Sequence, residues 1–251
     1  MSRTRSAIVT GGSAGIGLAI ARMLADEGWA LTLVARGADR LAEARRQLPT
    51  GTEARAVSAN LADPDQAGAI SAGHLEFFGG LDLLVNNAGV GFVGPIATRT
   101  VKQLDLELTL NIKTAYLLLQ ACIPALVSSA AERGSSHVVN VSSLAARENP
   151  PNGSVYAATK AALVSLSNVA HAELSRSGVH VTALLPGLVN TPGTAWADPG
   201  SRDLMIEPGD IAEAVRFLLR TSGRCFVPEI MLTTAGPSVL HSPVDWDTAA
   251  T

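Results

Sequence analysis

Three side chains near the middle of the chain have the types and spacing to handle a substrate oxygen together. A β-branched run, Val138-Val139-Asn140-Val141, ends in the pair Ser142-Ser143; after a turn-rich stretch (Asn149, Pro150, Pro151, Asn152, Gly153), a Ser-led helical pattern carries Tyr156 and Lys160. Residues four apart on a helix share one face, so the phenol and the ammonium emerge side by side. The strand end delivers a serine hydroxyl beside them. A phenol can give or take a proton, a cation can tune it, and a hydroxyl can hold the oxygen on which charge develops.

These positions also carry a family likeness. Ser143 followed by the Y-x-x-x-K of Tyr156-Ala157-Ala158-Thr159-Lys160 resembles the signature of the short-chain dehydrogenase/reductase family, in its standard NADP-preferring form. Y-x-x-x-K alone is a weak motif, since helices carry Tyr and Lys at that spacing by chance. The resemblance rests on its combination with Ser143 and the motifs below, and runs from about Ser6 to about Leu232. It implies that Ser143, Tyr156 and Lys160 act on a carbonyl or secondary alcohol while hydride moves to or from a nicotinamide. It further implies that Asn111, within the helical stretch Val101 to Val127, holds a water linking Lys160 to solvent. An amide satisfied locally within its helix is the plainer alternative.

Elements that would position these groups follow from the pattern of apolar runs. Ser6–Thr10 reads as a strand, and Gly11, Ser13, Gly15, Ile16 and Gly17 form a T-G-x-x-x-G-x-G turn into a helix over 18–26. Glycines there let backbone amides close on a pyrophosphate at a helix N-terminus. The spacing differs from the G-x-G-x-x-G of other dinucleotide-binding enzymes and resembles the short-chain family's version. Ala30–Ala35 is the second strand, with Arg36 at its end where relatives that select NAD place an acid near Ala35. A guanidinium bonds a 2′-phosphate that an aspartate would repel, so the cofactor expected is NADP, with NAD the lesser alternative. A solvated arginine opening the next helix, 38–48, is the plain reading of Arg36.

Further along, 53–58 is a third strand, followed by Asn60 and Leu61. The resemblance gives that pair an adenine contact, weakened because relatives carry Asp where Asn60 stands. Asp63, before Pro64, reads as a helix N-cap, and His74 receives no role. Strand 81–85 leads into Asn86-Asn87-Ala88-Gly89, which resembles the family's N-N-A-G turn, implying that Asn86 steadies the sheet while Asn87, Ala88 and Gly89 border the cofactor. Strand 179–185 leads into Pro186-Gly187-Leu188-Val189-Asn190-Thr191, similar to P-G-x-V-x-T, implying carboxamide contact from Val189 and Thr191 beside Pro186 and Gly187. Segment 190–208 reads as a substrate loop, 210–219 as the last long helix, 226–232 as the last strand and 242–251 as a loose tail. Leu144, Ala145, Phe92, Leu188, Trp196, Leu204 and Met205 are the apolar residues expected to face substrate.

Strands alternating with helices, the strands being near-continuous apolar runs, predict one Rossmann-type α/β domain over 1–251, a doubly wound seven-stranded parallel sheet with helices on both faces. A net charge of -3 and a pI near 5.9 give no footing for nucleic acid or an anionic membrane. The N-terminal apolar run is too short for a signal peptide, no stretch reads as a membrane span, and Cys122 and Cys225 make no metal or disulfide pattern. A cytoplasmic homo-oligomer, dimer or tetramer, acting on a small carbonyl or alcohol without metal is the expectation. The competing readings are an NAD-linked alcohol dehydrogenase and a non-catalytic dinucleotide sensor on the same fold.

Overall fold

The computed structural model describes residues 3–195, 197 and 199–235. Seven parallel strands form one sheet in the order β3-β2-β1-β4-β5-β6-β7. They are β1 (Ser6–Thr10), β2 (Ala30–Ala35), β3 (Ala54–Ser58), β4 (Leu83–Asn86), β5 (Ser136–Val141), β6 (Val179–Pro186) and β7 (Glu229–Leu232). Parallel neighbours require crossovers, and helices supply them: α1 (Gly15–Asp26), α2 (Ala38–Arg46), α3 (Gln66–Phe78), α4 (Val101–Leu108), α5 (Thr114–Arg133), the single turn α6 (Ala145–Glu148), α7 (Ser154–Leu174) and α8 (Pro208–Arg220).

Successive residues of a strand face opposite sides, and the core divides accordingly. Ala7, Val9, Leu31, Leu33, Val139 and Val141 pack with Ile20 and Leu24 of α1, Leu41 of α2, and Ile211 and Val215 of α8. Ile8, Val34, Leu84, Val138 and Val181 pack on the other face with Ile70 of α3, Leu118 and Leu126 of α5, and Ala170 of α7. Both faces are covered, as the apolar strands require.

The strand order reverses between β1 and β4, so their C-terminal ends open a crevice where open α/β sheets take ligands. The glycine turn follows β1 and Asn87-Ala88-Gly89 follows β4. The serine pair ends β5, and Pro186-Gly187 ends β6. The chemistry-bearing stretches thus share one edge of the sheet.

Several local expectations are corrected. The helical stretch from Val101 is interrupted by a π-helical segment, Thr109–Lys113, in which the Thr114 N–H reaches the Thr109 carbonyl. This puts an extra residue into the turn that carries Asn111. Asp63 is not the N-cap of α3: Asp65 holds that position, and Asp63 accepts from the Asp65 N–H (3.1 Å) and the Gln66 amide (3.2 Å) in the preceding turn. Against the expectation of no span-length stretch, the helix from Val101 to Arg133 is by length and composition alone apolar enough to cross a membrane, its most apolar 18 residues having mean hydropathy 1.5, but half of that window is buried inside the protein. His74 is fully buried, bridging Thr32 Oγ1 (2.8 Å), Ser6 Oγ (3.1 Å) and the Gly80 carbonyl (3.0 Å) beneath the sheet. The 242–251 tail lies outside the described residues.

Candidate active site

The two adjacent serines separate by role. Ser142 is buried and donates to the Lys160 carbonyl (2.8 Å), tying the end of β5 to α7. Ser143 faces a cavity of about 340 Å³ with its hydroxyl beside the Tyr156 phenol, and accepts from the Ala145 N–H (3.1 Å). The Lys160 ammonium lies 5.7 Å from the Tyr156 ring centroid and donates to the Val141 carbonyl (2.8 Å). Ser143, Tyr156 and Lys160 therefore converge on one wall of the cavity.

Electrostatics at this wall follow from burial. Desolvation disfavours the charged form of each group. It pushes the Tyr156 phenol above its ordinary value, with the neighbouring Ser143 hydroxyl opposing the rise and the Glu107 carboxylate adding to it. The same cause lowers Lys160 to about 8. The phenol thus rests protonated at neutral pH, ready to donate.

Asn111 is buried with its side chain committed to protein. Its Oδ1 accepts from the Val90 N–H (2.9 Å), and its Nδ2 donates to the Val90 carbonyl (2.8 Å) and Thr159 Oγ1 (3.0 Å). With both amide hydrogens spent, the side chain retains only acceptor capacity toward a water. Gly89 is where this group and the lysine approach the turn: a Cβ there would stand 2.8 Å from Asn111 Oδ1 and 3.5 Å from Lys160 Nζ.

The glycine turn is held from β4. Thr10 Oγ1 accepts from the N–H groups of Asn87 (2.9 Å) and Ala88 (3.0 Å), and Asn87 Nδ2 donates to the Thr10 carbonyl (3.0 Å). Gly17 admits this packing, since a Cβ would meet the Gly11 carbonyl oxygen at 2.3 Å and Asn87 Nδ2 at 2.6 Å. Gly15, at φ 53°, faces Thr191, whose Cγ2 would lie 3.1 Å from a Cβ. No side chain caps α1 at Ala14, which leaves its first N–H groups for an anion. Asn86 lies under the turn, donating to Asn140 Oδ1 (2.9 Å), and Asn140 donates to Ser167 Oγ (2.8 Å).

A second cavity of about 170 Å³ adjoins the first, the two sharing Gly89 and Val90 as walls. Gly11, Ser13, Ala35, Arg36, Leu61 and Ala88 line it, together with Arg40, which the sequence reading did not single out. Asn60 does not join that wall: it is exposed, and its Oδ1 accepts from the Ala62 N–H (3.3 Å) in a local turn. Among the described residues no acidic side chain lines either cavity. The combined groove, with two arginines at one end and a lysine at the other, fits an elongated polyanion such as a dinucleotide.

Beyond Tyr156 the larger cavity is apolar. Phe92, Leu144, Ala145 and Leu188 line it as expected, joined by Val93, Pro150 and Pro151. Ile16, Asn87, Pro186, Gly187, Val189 and Thr191 line the stretch toward the glycine turn. Thr194, missed in the sequence, locks this stretch by donating to the Val189 carbonyl (2.7 Å) and accepting from the Thr191 N–H (3.1 Å). Segment 190–208 is partly helical, with 3₁₀ turns at Pro192–Thr194 and Pro199–Leu204. Its last turn does not face substrate as expected. Met205 is buried away from the cavity wall and Leu204 is exposed, because Ile206 pairs with the 188–190 backbone through Ile206 N–H to the Leu188 carbonyl (3.0 Å) and Asn190 N–H to the Ile206 carbonyl (2.9 Å). Trp196 lies outside the described residues.

Gly91 and Glu107 were also missed. A Cβ on Gly91 would come within 2.9 Å of Tyr156 Cδ2, so that backbone packs directly on the phenol ring. Nothing in the local sequence marks Gly91. Glu107 falls one turn before Asn111 on the same helix path, the one sequence cue that it could reach the same loop.

Comparison with known proteins agrees with this construction. Residues 5–200 match the family model described as short chain dehydrogenase. An uncharacterized oxidoreductase of Staphylococcus epidermidis is 35% identical over 230 residues, spanning 92% of this chain and 97% of the relative. Among solved structures, an alcohol dehydrogenase from the archaeon Thermococcus sibiricus complexed with 5-hydroxy-NADP superposes with a TM-score of 0.84 at 29% identity, covering 94% of this chain and 99% of that one. A metagenomic short-chain oxidoreductase in complex with NADP gives a TM-score of 0.78 at 36% identity, covering 91% and 96%. With a fold, a groove and relatives that agree along most of its length, the chain belongs to the short-chain dehydrogenase family and is an oxidoreductase.

Proposed function

We propose that the protein is an NADPH-dependent carbonyl reductase acting on uncharged, mainly apolar ketones or aldehydes. The observation that carries this reading is the convergence of Ser143, Tyr156 and Lys160 on one cavity wall, at the junction of an apolar cavity and a groove ending in Arg36 and Arg40. The nicotinamide, when bound, supplies the hydride to the carbonyl carbon. Ser143 donates a hydrogen bond to the substrate oxygen, and Tyr156 Oη gives it the proton that completes the alcohol. Lys160, beside the phenol, stabilises the tyrosinate left behind, and Asn111, whose Oδ1 can still accept from a water, holds the water through which that proton is replaced. Arg36 and Arg40 bond the 2′-phosphate that distinguishes NADP from NAD, with Ser13 beside them. Two of the solved relatives being NADP complexes supports this choice.

The direction follows from the phenol's resting state. Oxidation needs a tyrosinate, and a free phenol has a pKa of about 10, so ionising it at neutral pH costs roughly 4 kcal/mol before burial adds more. Reduction starts from the form already present. The apolar wall of Phe92, Val93, Leu144, Ala145 and Leu188 offers no cation to a substrate carboxylate or phosphate, which would be left unpaired there at considerable cost.

The reading includes a cytoplasmic homo-oligomer. Apolar side chains exposed on α8 (Phe217, 55%) and β7 (Met231, 63%) support association, and light scattering on the purified chain reads it directly. The function itself is tested by following NADPH oxidation against a panel of small ketones, oxoacyl thioesters, steroids and keto acids. Turnover of neutral apolar carbonyls with NADPH favoured over NADH is expected. Tight NADPH binding with no turnover across the panel would replace the enzyme with a dinucleotide sensor.

A further inference from the structure

The buried pair Arg99–Glu107 lies outside the machinery assigned above, yet it touches the same loop. Glu107 is fully buried at the end of α4 and its Oε1 accepts from the Phe92 N–H (2.9 Å). Its Oε2 accepts from Arg99 Nη2 (2.9 Å), and that arginine side chain is itself only 8% exposed. The Arg99 guanidinium lies 5.3 Å from the Phe92 ring centroid, so it also stacks on a wall of the substrate cavity. A buried ion pair costs desolvation that a pair of apolar side chains would not, and its placement asks for a reason beyond stability.

The geometry supplies one. Asn111, four residues after Glu107, holds Val90 by both its N–H (2.9 Å) and its carbonyl (2.8 Å). Glu107 and Asn111, one turn apart where α4 passes into the π-helical segment, thus hold alternate residues, 92 and 90, of the same loop. Gly91, between them, is held against the Tyr156 ring.

We infer that Glu107, with Arg99 as its counter-charge, is a positioning residue that pins residues 90–92 against Tyr156 and sets Phe92 in the substrate wall. The inference rests on Tyr156 being the proton donor. The charged groups facing the phenol are then Lys160 from α7 and Glu107 from α4, with Arg99 behind Glu107 and the Ser143 hydroxyl opposite. The lysine favours tyrosinate, whereas burial first and the Glu107 carboxylate after it oppose it.

Three variants test this: Glu107→Met, Glu107→Gln and Arg99→Met. Glu107→Met frees the Phe92 N–H, and kcat is expected to fall by about tenfold or more, the scale of a displaced reacting group, with the NADPH dissociation constant within about threefold of the parent. Glu107→Gln keeps an acceptor for Phe92 and should recover most of that kcat, while its missing charge moves the phenol titration to lower pH. Arg99→Met should raise KM for bulky substrates more than it lowers kcat, because Phe92 loses its stacking partner. The titration needs neither substrate nor cofactor. The chain has two tyrosines, and subtracting the ultraviolet titration of Tyr156→Phe isolates Tyr156 from Tyr116. If Glu107→Met fails to fold, the KM-against-kcat split of Arg99→Met decides. Parent-like kcat and KM in a folded Glu107→Met, or in Arg99→Met, overturn the inference, and a parent-like phenol titration in Glu107→Gln overturns the charge effect assigned to Glu107. An inactive parent would instead sink the reductase reading and leave the titration as the test of that charge effect.

Discussion

Replacing Arg36 by Asp probes cofactor choice at the point where the sequence departs from an NAD-selecting pattern. Arg36 and Arg40 are exposed at the rim of the smaller cavity, beside Ser13 and the glycine turn. A hydrogen bond to a charged partner contributes about 1.5–3 kcal/mol when shielded, and exposure reduces this to roughly 1–2 kcal/mol per arginine. Loss of Arg36 alone thus predicts NADPH binding weakened by about 5–30-fold. The introduced carboxylate repels the 2′-phosphate and accepts from ribose hydroxyls, so NADH binding should improve and the preference should swing by roughly 100-fold in total. Because the contact is at the surface, added salt should weaken NADPH binding to the parent more than to the variant. Fluorescence titration of both nucleotides at low and high ionic strength reads all of this without any substrate. An unaltered NADPH/NADH affinity ratio in Arg36→Asp would refute the assignment of the phosphate to that end of the groove.

Two further outcomes follow from contacts already described. Gly91→Ala places a Cβ 2.9 Å from Tyr156 Cδ2; overpacking of this kind costs about 1–3 kcal/mol, so kcat should fall by about 5–150-fold while NADPH affinity is kept, and unchanged turnover would show that the ring is not held there. Burial lowers His74 and His137 to about 4, so the unfolded chain, titrating near 6.5, binds protons first as pH falls. The stability of neutral histidine is fully present above about 6.5 and is lost progressively toward 4, by about 3 kcal/mol for His74 alone. Urea midpoints across that window should decline with falling pH, and a flat profile would contradict the buried, neutral state of His74.

Much of this architecture could be read before any coordinates because its determinants are local. The glycine turn, the N-N-A-G stretch, the serine pair and the tyrosine–lysine helix each sit where a strand ends, so an apolar run followed by a breaker locates them. What escaped the sequence is what tertiary approach decides. The π-helical segment at Thr109–Lys113 adds one residue without interrupting the apolar pattern, so the stretch reads as a plain helix. Glu107 looks like part of a solvated face until the loop from Val90 folds over it. Arg40 reaches the cavity because α2 begins at Ala38, two residues after Arg36. Met205 was expected at the substrate because an apolar residue in a Gly- and Pro-rich loop has no evident partner. The bridge between Ile206 and Val189 turns that segment back onto the chain after β6. Asn60 shows the converse: its neighbours line the groove, while its own carboxamide closes a local turn.

The account stands on Tyr156 as the proton donor to a carbonyl reduced with NADPH. Tyr156→Phe removes only the hydroxyl, keeping the ring that Gly91 packs against and leaving the groove unaltered. General acid catalysis is worth about 100- to 10,000-fold, so kcat for NADPH-dependent reduction should fall by that factor with the NADPH dissociation constant unchanged. Turnover within a few-fold of the parent would contradict the central claim.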